Sequence, residues 1–303
     1  MRILVVGSQG MLGQEFVRQL HKRGQDEVIG CGRADLDITN EQEVMEKILD
    51  LKPGLIFNCA AYNNVDKAED EPEVANVING EAVGYLAKAA ASCGAVFVHF
   101  STDYVFDGEN KEGYTEEDIP DPISKYGESK ALGEQRLLAT SQTHNFTNWY
   151  LIRTSKLFGL PGIGSTSKKS FPEMMLGFAR AKGRIEAIDA EIGSPTYVKD
   201  LVQRAIELVA RDFMSRSSGT QGAALREPYP SGIYHITNSG SCGWYEYAKI
   251  AVESVGVSAE VIPVGPDRFP RKAKRPAYSI LLNTKLLALR PWQEALREFL
   301  TRG

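Results

Sequence analysis

The chain has 303 residues, 43% hydrophobic and 24% charged. That is enough for two domains or one large α/β unit with a lobe, and too balanced a composition for a disordered chain. With 35 Lys+Arg against 39 Asp+Glu the net charge is −4, which supplies no basic footprint for nucleic acid. The apolar run at the N-terminus is too short for a secretory or membrane-spanning segment, so a soluble cytoplasmic protein without a membrane partner is expected. Cys31, Cys59, Cys93 and Cys242 are scattered singly and cluster with none of His21, His99, His144 or His235. They read as small buried hydrophobes in a reducing compartment, not as a zinc site or a disulfide framework.

Residues 2–6 form a short apolar run ending at Gly7, and 11–23 a helix. A second strand is predicted over 27–31, a helix over 41–51 with Val44, Ile48 and Leu51 on one side, and a third strand over 55–59. A long helix follows over 74–93, with Gly94 placed to cap it. Then come a strand over 95–100, a helix over 124–139 and a fifth strand over 149–153. Short, almost continuously apolar strands separated by helices describe a doubly wound parallel Rossmann-type sheet, which binds ligands at the carboxyl ends of its strands. Beyond residue 154 the rhythm changes. The stretch 160–169 (LPGIGSTSKK) is a loop, 198–211 a helix returning to the sheet, and 215–231 a long connection. A strand over 233–236 and helices over 244–255 and 292–300 complete the chain. This pattern assigns 1–157 to a dinucleotide-binding domain, with 195–235 returning to it, and 158–194 plus 236–303 to a smaller C-terminal substrate-binding lobe.

Gly7, Gly10 and Gly13 lie at the first strand-to-helix junction. There Gly7 permits a tight turn, Gly10 lets backbone approach a pyrophosphate, Gly13 brings the helix close to the sheet, and the helix N-terminus offers free N–H groups to phosphate. Tyr126 and Lys130 are spaced i,i+4 on one helix face, so the ammonium is expected to lower the phenol's pKa. Thr102 and Asp103 end the preceding strand at the same edge, where a hydroxyl can reach both a carbonyl and the phenol. The same spacing at Tyr245 and Lys249 lacks such a partner and reads as an amphipathic helix packing its rings.

The G-x-x-G-x-x-G spacing with Tyr126-x-x-x-Lys130 resembles the extended short-chain dehydrogenases/reductases. The ordered segments Asn58–Glu69, Ser101–Gly108, Arg153-Thr154-Ser155, Gly193–Thr196, 232–248 and Lys274-Arg275-Pro276 narrow this to the dTDP-4-dehydrorhamnose reductase family, over nearly the whole chain. The resemblance implies reduction of a 4-keto group on a nucleotide-linked 6-deoxy sugar, with Tyr126, Lys130 and Thr102 catalytic. It implies cofactor contacts from Gly10, Met11, Leu12, Gly30, Asp37, Ile38, Ala60, Ala61, Tyr62, Tyr126 and Lys130, and a sugar pocket lined by Val65, Thr102, Asp103 and Tyr104. Asp37 can accept from an adenine amino group. Strand two ends without a carboxylate for a ribose 2′-hydroxyl, whereas Arg33 can meet a 2′-phosphate, so NADPH is expected over NADH. The basic run 268–275, with Arg275, is either a diphosphate contact or a solvated face.

Lys156 departs from the family pattern, which has tryptophan after Arg-Thr-Ser. It is expected either to meet the sugar or, preferably, to snorkel to solvent and widen the pocket. Glu15 matches one acidic position of the magnesium-bridged dimers seen in some members, but the other positions do not match, so no metal is expected and a homodimer stays open. Two other readings also remain: a reductase or epimerase-type enzyme for a different 4-keto nucleotide sugar, and a non-catalytic regulatory subunit of the same fold.

Overall fold

The computed structural model describes residues 1–24, 26–164, 167–217 and 229–302. In chain order the elements are β1 (Arg2–Val6), α1 (Met11–Arg23), β2 (Glu27–Cys31), α2 (Glu41–Leu51), β3 (Leu55–Asn58), α3 (Pro72–Asn76), α4 (Ala82–Cys93), β4 (Val96–Thr102), α5 (Lys125–Thr143) and β5 (Trp149–Thr154). There follow β6 (Leu157–Phe158), α6 (Phe171–Lys182), β7 (Arg184–Ile188), β8 (Ile192–Gly193), β9 (Thr196–Tyr197), α7 (Val198–Ser217), β10 (Gly232–His235), α8 (Trp244–Ser254), β11 (Glu260–Val264), β12 (Tyr278–Ser279) and α9 (Trp292–Leu300).

Six strands form one parallel sheet in the order β10-β5-β4-β3-β1-β2. Chain progression reverses beside β1, with β2 on one side and β3 on the other, which opens a crevice at the carboxyl edge. The strands are apolar throughout because both faces are covered. Ile3 and Val5 of β1 pack with Phe16 of α1, Leu201 of α7 and Trp292 of α9. Leu4 and Val6 point the other way, to Val44 and Ile48 of α2 and Leu86 of α4. Period-two alternation thus feeds two cores.

Three local expectations are corrected. The single helix over 74–93 begins at Pro72 and is interrupted by a π turn, Val77–Glu81. Within that turn the buried Asn79 side chain accepts from Tyr62 N at 2.8 Å and donates to Tyr62 O and Ser129 Oγ, each at 3.0 Å. The extra residue turns the amide inward, toward the loop after β3. Strand β4 runs on to Thr102, and α7 continues through Ser217, into the segment expected to be a connection; 218–228 lies outside the described residues. Helix α6 and the parallel pair β7–β11 were not anticipated. They give the C-terminal lobe its own apolar cluster, Leu176, Ala179, Ile185, Ala187, Ala248 and Val252. The helix had a readable signature, a capping box of Ser170 with Glu173 and proline in the first turn, obscured by the Gly/Ser-rich stretch before it.

Two glycines give opposite expectations for stability. A Cβ on Gly133 of α5 would lie 2.2 Å from the Asn79 carbonyl oxygen, whereas one on Gly177 of α6 would meet nothing within 4 Å. Gly133→Ala is expected to destabilise by about 1–3 kcal/mol through overpacking, and Gly177→Ala to stabilise by about 0.5–1 kcal/mol through helix propensity. Urea unfolding of both variants tests this; equal shifts would contradict the packing described.

Candidate active site

The turn after β1 forms the floor of the crevice. Gly7 has φ +74°, and a Cβ there would fall 2.6 Å from Ala60 N, so a side chain is excluded by backbone and space alike. Gly10 is the N-cap of α1 and supplies no side-chain cap, which leaves the positive end of the helix open to an anion. A Cβ on Gly10 would meet only the Gly7 carbonyl oxygen, at 3.5 Å. A dinucleotide pyrophosphate therefore fits this cradle. A Cβ on Gly13 would lie 2.3 Å from Gly7 O, so its bareness seats α1, including Met11 and buried Leu12, against the turn at the end of β1.

Around the cradle, Gly30 backs onto Ser8, whose Cβ would be 2.9 Å from a side chain there. Arg33 is exposed just past β2, and Ile38 is buried. The Asp37 carboxylate accepts from Thr39 N at 3.0 Å and Thr39 Oγ1 at 2.7 Å, which holds its pKa below the ordinary value; Arg33 adds to this. Ala60, Ala61 and Tyr62 follow β3, half-buried. Tyr62 is fixed by Asn79 through its backbone and donates from its hydroxyl to Glu71 at 2.7 Å. Burial, then Glu71, pushes the phenol up to about 12. A groove of about 470 Å³ lined by Ser8, Gln9, Met11, Gly30 and Asp35 flanks the turn on its β2 side.

Helix α5 enters the same edge from the other side. Ser124 caps it, accepting from Gly127 N at 3.1 Å, so Tyr126 and Lys130 lie in its first two turns. Lys130 is buried and donates to the carbonyl oxygen of Phe100 at 2.6 Å. The Thr102 hydroxyl faces the Tyr126 phenol and favours its ionised form. Burial pushes Tyr126 up to about 12, against the pull of Thr102 and with help from the Asp103 charge. Burial draws Lys130 down to about 8, with Glu134 opposing. The expected lowering of the phenol by Lys130 is not what this geometry produces, because the ammonium is turned to the Phe100 carbonyl and burial dominates.

One turn beyond Lys130 is a pair the sequence analysis did not single out. Arg153 donates to Glu134 from Nε at 3.0 Å and from Nη2 at 2.6 Å, and Ser101 donates to the same carboxylate at 2.5 Å. The two side chains are 1% and 4% exposed. The signal available was Glu134 at i+4 from Lys130, continuing the face that carries Tyr126.

Asp103 is buried directly behind the edge. Its Oδ1 accepts from Thr102 at 3.0 Å, and its Oδ2 from Ser155 and Ser279 at 2.6 Å each, joining β4, the end of β5 and the lobe strand β12. Burial raises its pKa even so. The Tyr104 ring meets that of Tyr126 edge-on at 5.8 Å, and Val65 is half-buried. Arg275 lies 6.0 Å over the Tyr104 ring and donates to Asp66 at 2.9 Å. The basic run is not a bare solvated face: Arg268 pairs with Glu186, Arg271 with Glu191, Lys272 with Asp70 and Arg275 with Asp66. It straps the lobe to the segment after β3. A groove of about 410 Å³ lined by Glu191, Phe269, Arg271 and Arg275 lies beside it.

Lys156 does not snorkel to solvent; it is turned into the lobe, donating to the carbonyl oxygens of Glu191 at 2.7 Å and Cys242 at 3.0 Å. Tyr245 packs in the lobe cluster and Lys249 is exposed. The Glu15 carboxylate is taken up by Arg18 and Gln19. Among the described residues no group of three or more His, Cys, Asp or Glu is arranged for a metal, and no helix is long and apolar enough to cross a membrane.

A family model described as RmlD substrate binding domain matches residues 1–303. A dTDP-4-dehydrorhamnose reductase of Burkholderia thailandensis is 34% identical, covering 94% of this chain and 92% of the relative. The chain belongs to the dTDP-4-dehydrorhamnose reductase family. The spore coat polysaccharide biosynthesis protein SpsK of Bacillus subtilis, 36% identical, covers 99% of this chain and 96% of its own length. The crystal structure of a family member from Bacillus anthracis, in complex with NADP, has a TM-score of 0.87 at 32% identity and covers 100% of this chain and 99% of that one.

The buried pair beneath α5 gives a prediction. Arg153→Met leaves Glu134 charged and unpaired, and is expected to cost about 3–5 kcal/mol. Adding Glu134→Leu should recover most of that loss. A single variant within about 1 kcal/mol of the parent in urea unfolding would contradict this reading.

Proposed function

We infer that the protein is an NADPH-dependent oxidoreductase that reduces the 4-keto group of a nucleotide-linked 6-deoxy sugar, dTDP-4-dehydro-L-rhamnose to dTDP-L-rhamnose. The observation that carries the reading is the Tyr126 phenol facing the Thr102 hydroxyl, with Lys130 one turn on, at the sheet edge that also holds an open phosphate cradle. When bound, the nicotinamide supplies the hydride that C4 of the sugar accepts. Tyr126 gives its proton to the C4 oxygen; a phenol pushed up to about 12 keeps that proton at neutral pH until an alkoxide develops. Thr102 orients the carbonyl and the phenol together. Lys130 spends one N–H on Phe100 O and keeps others for a ribose hydroxyl.

The cofactor's pyrophosphate is assigned to Gly7, Gly10, Met11, Leu12 and Gly13, its adenosine to Gly30, Arg33, Asp37 and Ile38, and its nicotinamide side to Ala60, Ala61 and Tyr62. Val65 and Tyr104 wall the sugar, with Asp103 holding Thr102 from behind. The lobe, 158–194 and 236–303, takes the nucleotide, its strap presenting Arg275 toward the diphosphate. The cytoplasm is the proposed location.

Tyr126→Phe is expected to lower kcat by about 10²–10⁴-fold while NADPH affinity stays near that of the parent. Near-full turnover by the phenylalanine variant would remove Tyr126 as the acid. Arg33→Ala should weaken NADPH binding by about 10–150-fold, the range of a lost charge-assisted contact, and spare NADH. Equal losses for both cofactors would show that Arg33 does not read the 2′-phosphate.

A further inference from the structure

We propose that Lys156 is a positioning residue that locks the C-terminal lobe onto the carboxyl edge of the sheet, so that affinity for the nucleotide sugar depends on its ammonium while the chemical step does not. The proposal deepens the reading of this chain as a nucleotide-sugar reductase and rests on it. Lys156 adopts φ +43°, a left-handed backbone that a lysine takes only where its surroundings enforce it. That turn sends the side chain away from β5 and across Gly193, where a Cβ would sit 2.9 Å from Lys156 Cε; a larger residue at 193 would block the path. The ammonium then donates to two carbonyls from separate lobe segments, Glu191 O at 2.7 Å and Cys242 O at 3.0 Å, and lies 4.1 Å from the centre of the Trp244 ring.

The acceptors are themselves fixed. Glu191 has φ +60°, and its carboxylate accepts from Trp244 Nε1 at 2.9 Å and pairs with Arg271 of the strap. Gly193 and Cys242 exchange backbone hydrogen bonds. One cation from the sheet therefore gathers the loop before β8, the entry to α8 and, through Glu191, the strap. Glu191 and Arg271 both line the 410 Å³ groove beside Arg275, and Tyr104, under Arg275, contacts Tyr126. Anything that loosens Lys156 opens the wall on which a nucleotide sugar would rest, and leaves α5, with Tyr126 and Lys130, held on the sheet by the Glu134–Arg153 pair.

Burial draws Lys156 down to about 8, against the Cys242 thiol and the Asp103 and Glu191 carboxylates. Arg271 is neutralised by Glu191. Cys242, which also faces Glu246, is itself pushed up to about 12 by burial, and Tyr104 is raised as well, so neither titrates near pH 8. The lysine is charged below that point. As pH rises through about 8 the cation–π contact and the charge assistance to both carbonyls are lost.

The test uses the full chain with NADPH and dTDP-4-dehydro-L-rhamnose, measuring kcat and KM from pH 6 to about 9.5, a range spanning the titration. Wild type should show KM rising above pH 8. Lys156→Met, which removes both charge-assisted contacts, should raise KM at pH 7 at least about ten-fold, with kcat nearly unchanged and no rise of KM above pH 8. Lys156→Arg, which stays charged, should hold KM flat across the range. Amide exchange at 190–193 and 242–244 without substrate should be faster in Lys156→Met than in wild type. That readout supports the lock whichever sugar is turned over, whereas absence of turnover by wild type would overturn the reductase reading alone. Unchanged KM with unchanged exchange, or a fall in kcat at constant KM, would overturn the proposal.

Discussion

The Glu134–Arg153 ion pair lies beneath α5 with its side chains 4% and 1% exposed, where an unpaired charge is very costly. Three Arg153–Glu134 hydrogen bonds, a fourth from Ser101 and the Arg153 guanidinium 5.0 Å over the Phe106 ring satisfy nearly all of it. The pair joins α5, β4 and β5 at a single point, and so fixes the rotation and the height of the helix on the sheet edge. Lys130 and Tyr126 stand four and eight residues earlier on that face, so their positions follow. Glu134 also offsets part of the desolvation that draws Lys130 down. Packing alone would leave the helix free to slide by small amounts; a buried bidentate pair has one good geometry.

A second polar centre extends this order outward. Asp103 binds hydroxyls from Thr102, Ser155 and Ser279, so the hydroxyl beside Tyr126 shares one carboxylate with the lobe. The strap then crosses back, with Arg275 and Lys272 paired to Asp66 and Asp70. Sheet, helix α5 and lobe thus meet through a few buried polar groups, while the two apolar cores supply the bulk of the stability. Burial dominates the acid–base character of the site: it keeps the phenol protonated and draws the Lys130 ammonium down to about 8.

The first half of the chain was legible because its strands, covered on both faces, read as apolar runs, and its helices end at unmistakable stops such as Gly94 with φ +71°. Tyr126 and Lys130 could be found because i,i+4 spacing is local information, and the preceding strand end supplied their context. The π turn at Asn79 was not legible: the cause is a bond to Tyr62, seventeen residues away. The partners of the basic run lie further still, with Lys272 and Asp70 separated by 202 residues, so the run looked like a free face. The direction of Lys156 depends on a left-handed backbone and on room made by Gly193. The lobe strands β8 and β12, two residues each and paired across the chain, carry no periodicity of their own.

The central claim is that this edge delivers a reducing equivalent to C4 of a 4-keto nucleotide sugar. Incubating the protein with NADPH deuterated at the nicotinamide C4 and with dTDP-4-dehydro-L-rhamnose, then examining the product by proton NMR, tests it most directly. The account predicts a dTDP-L-rhamnose product with deuterium at C4 of the sugar. A sugar recovered unreduced, or reduced without deuterium at C4 with either face of the cofactor labelled, would contradict it.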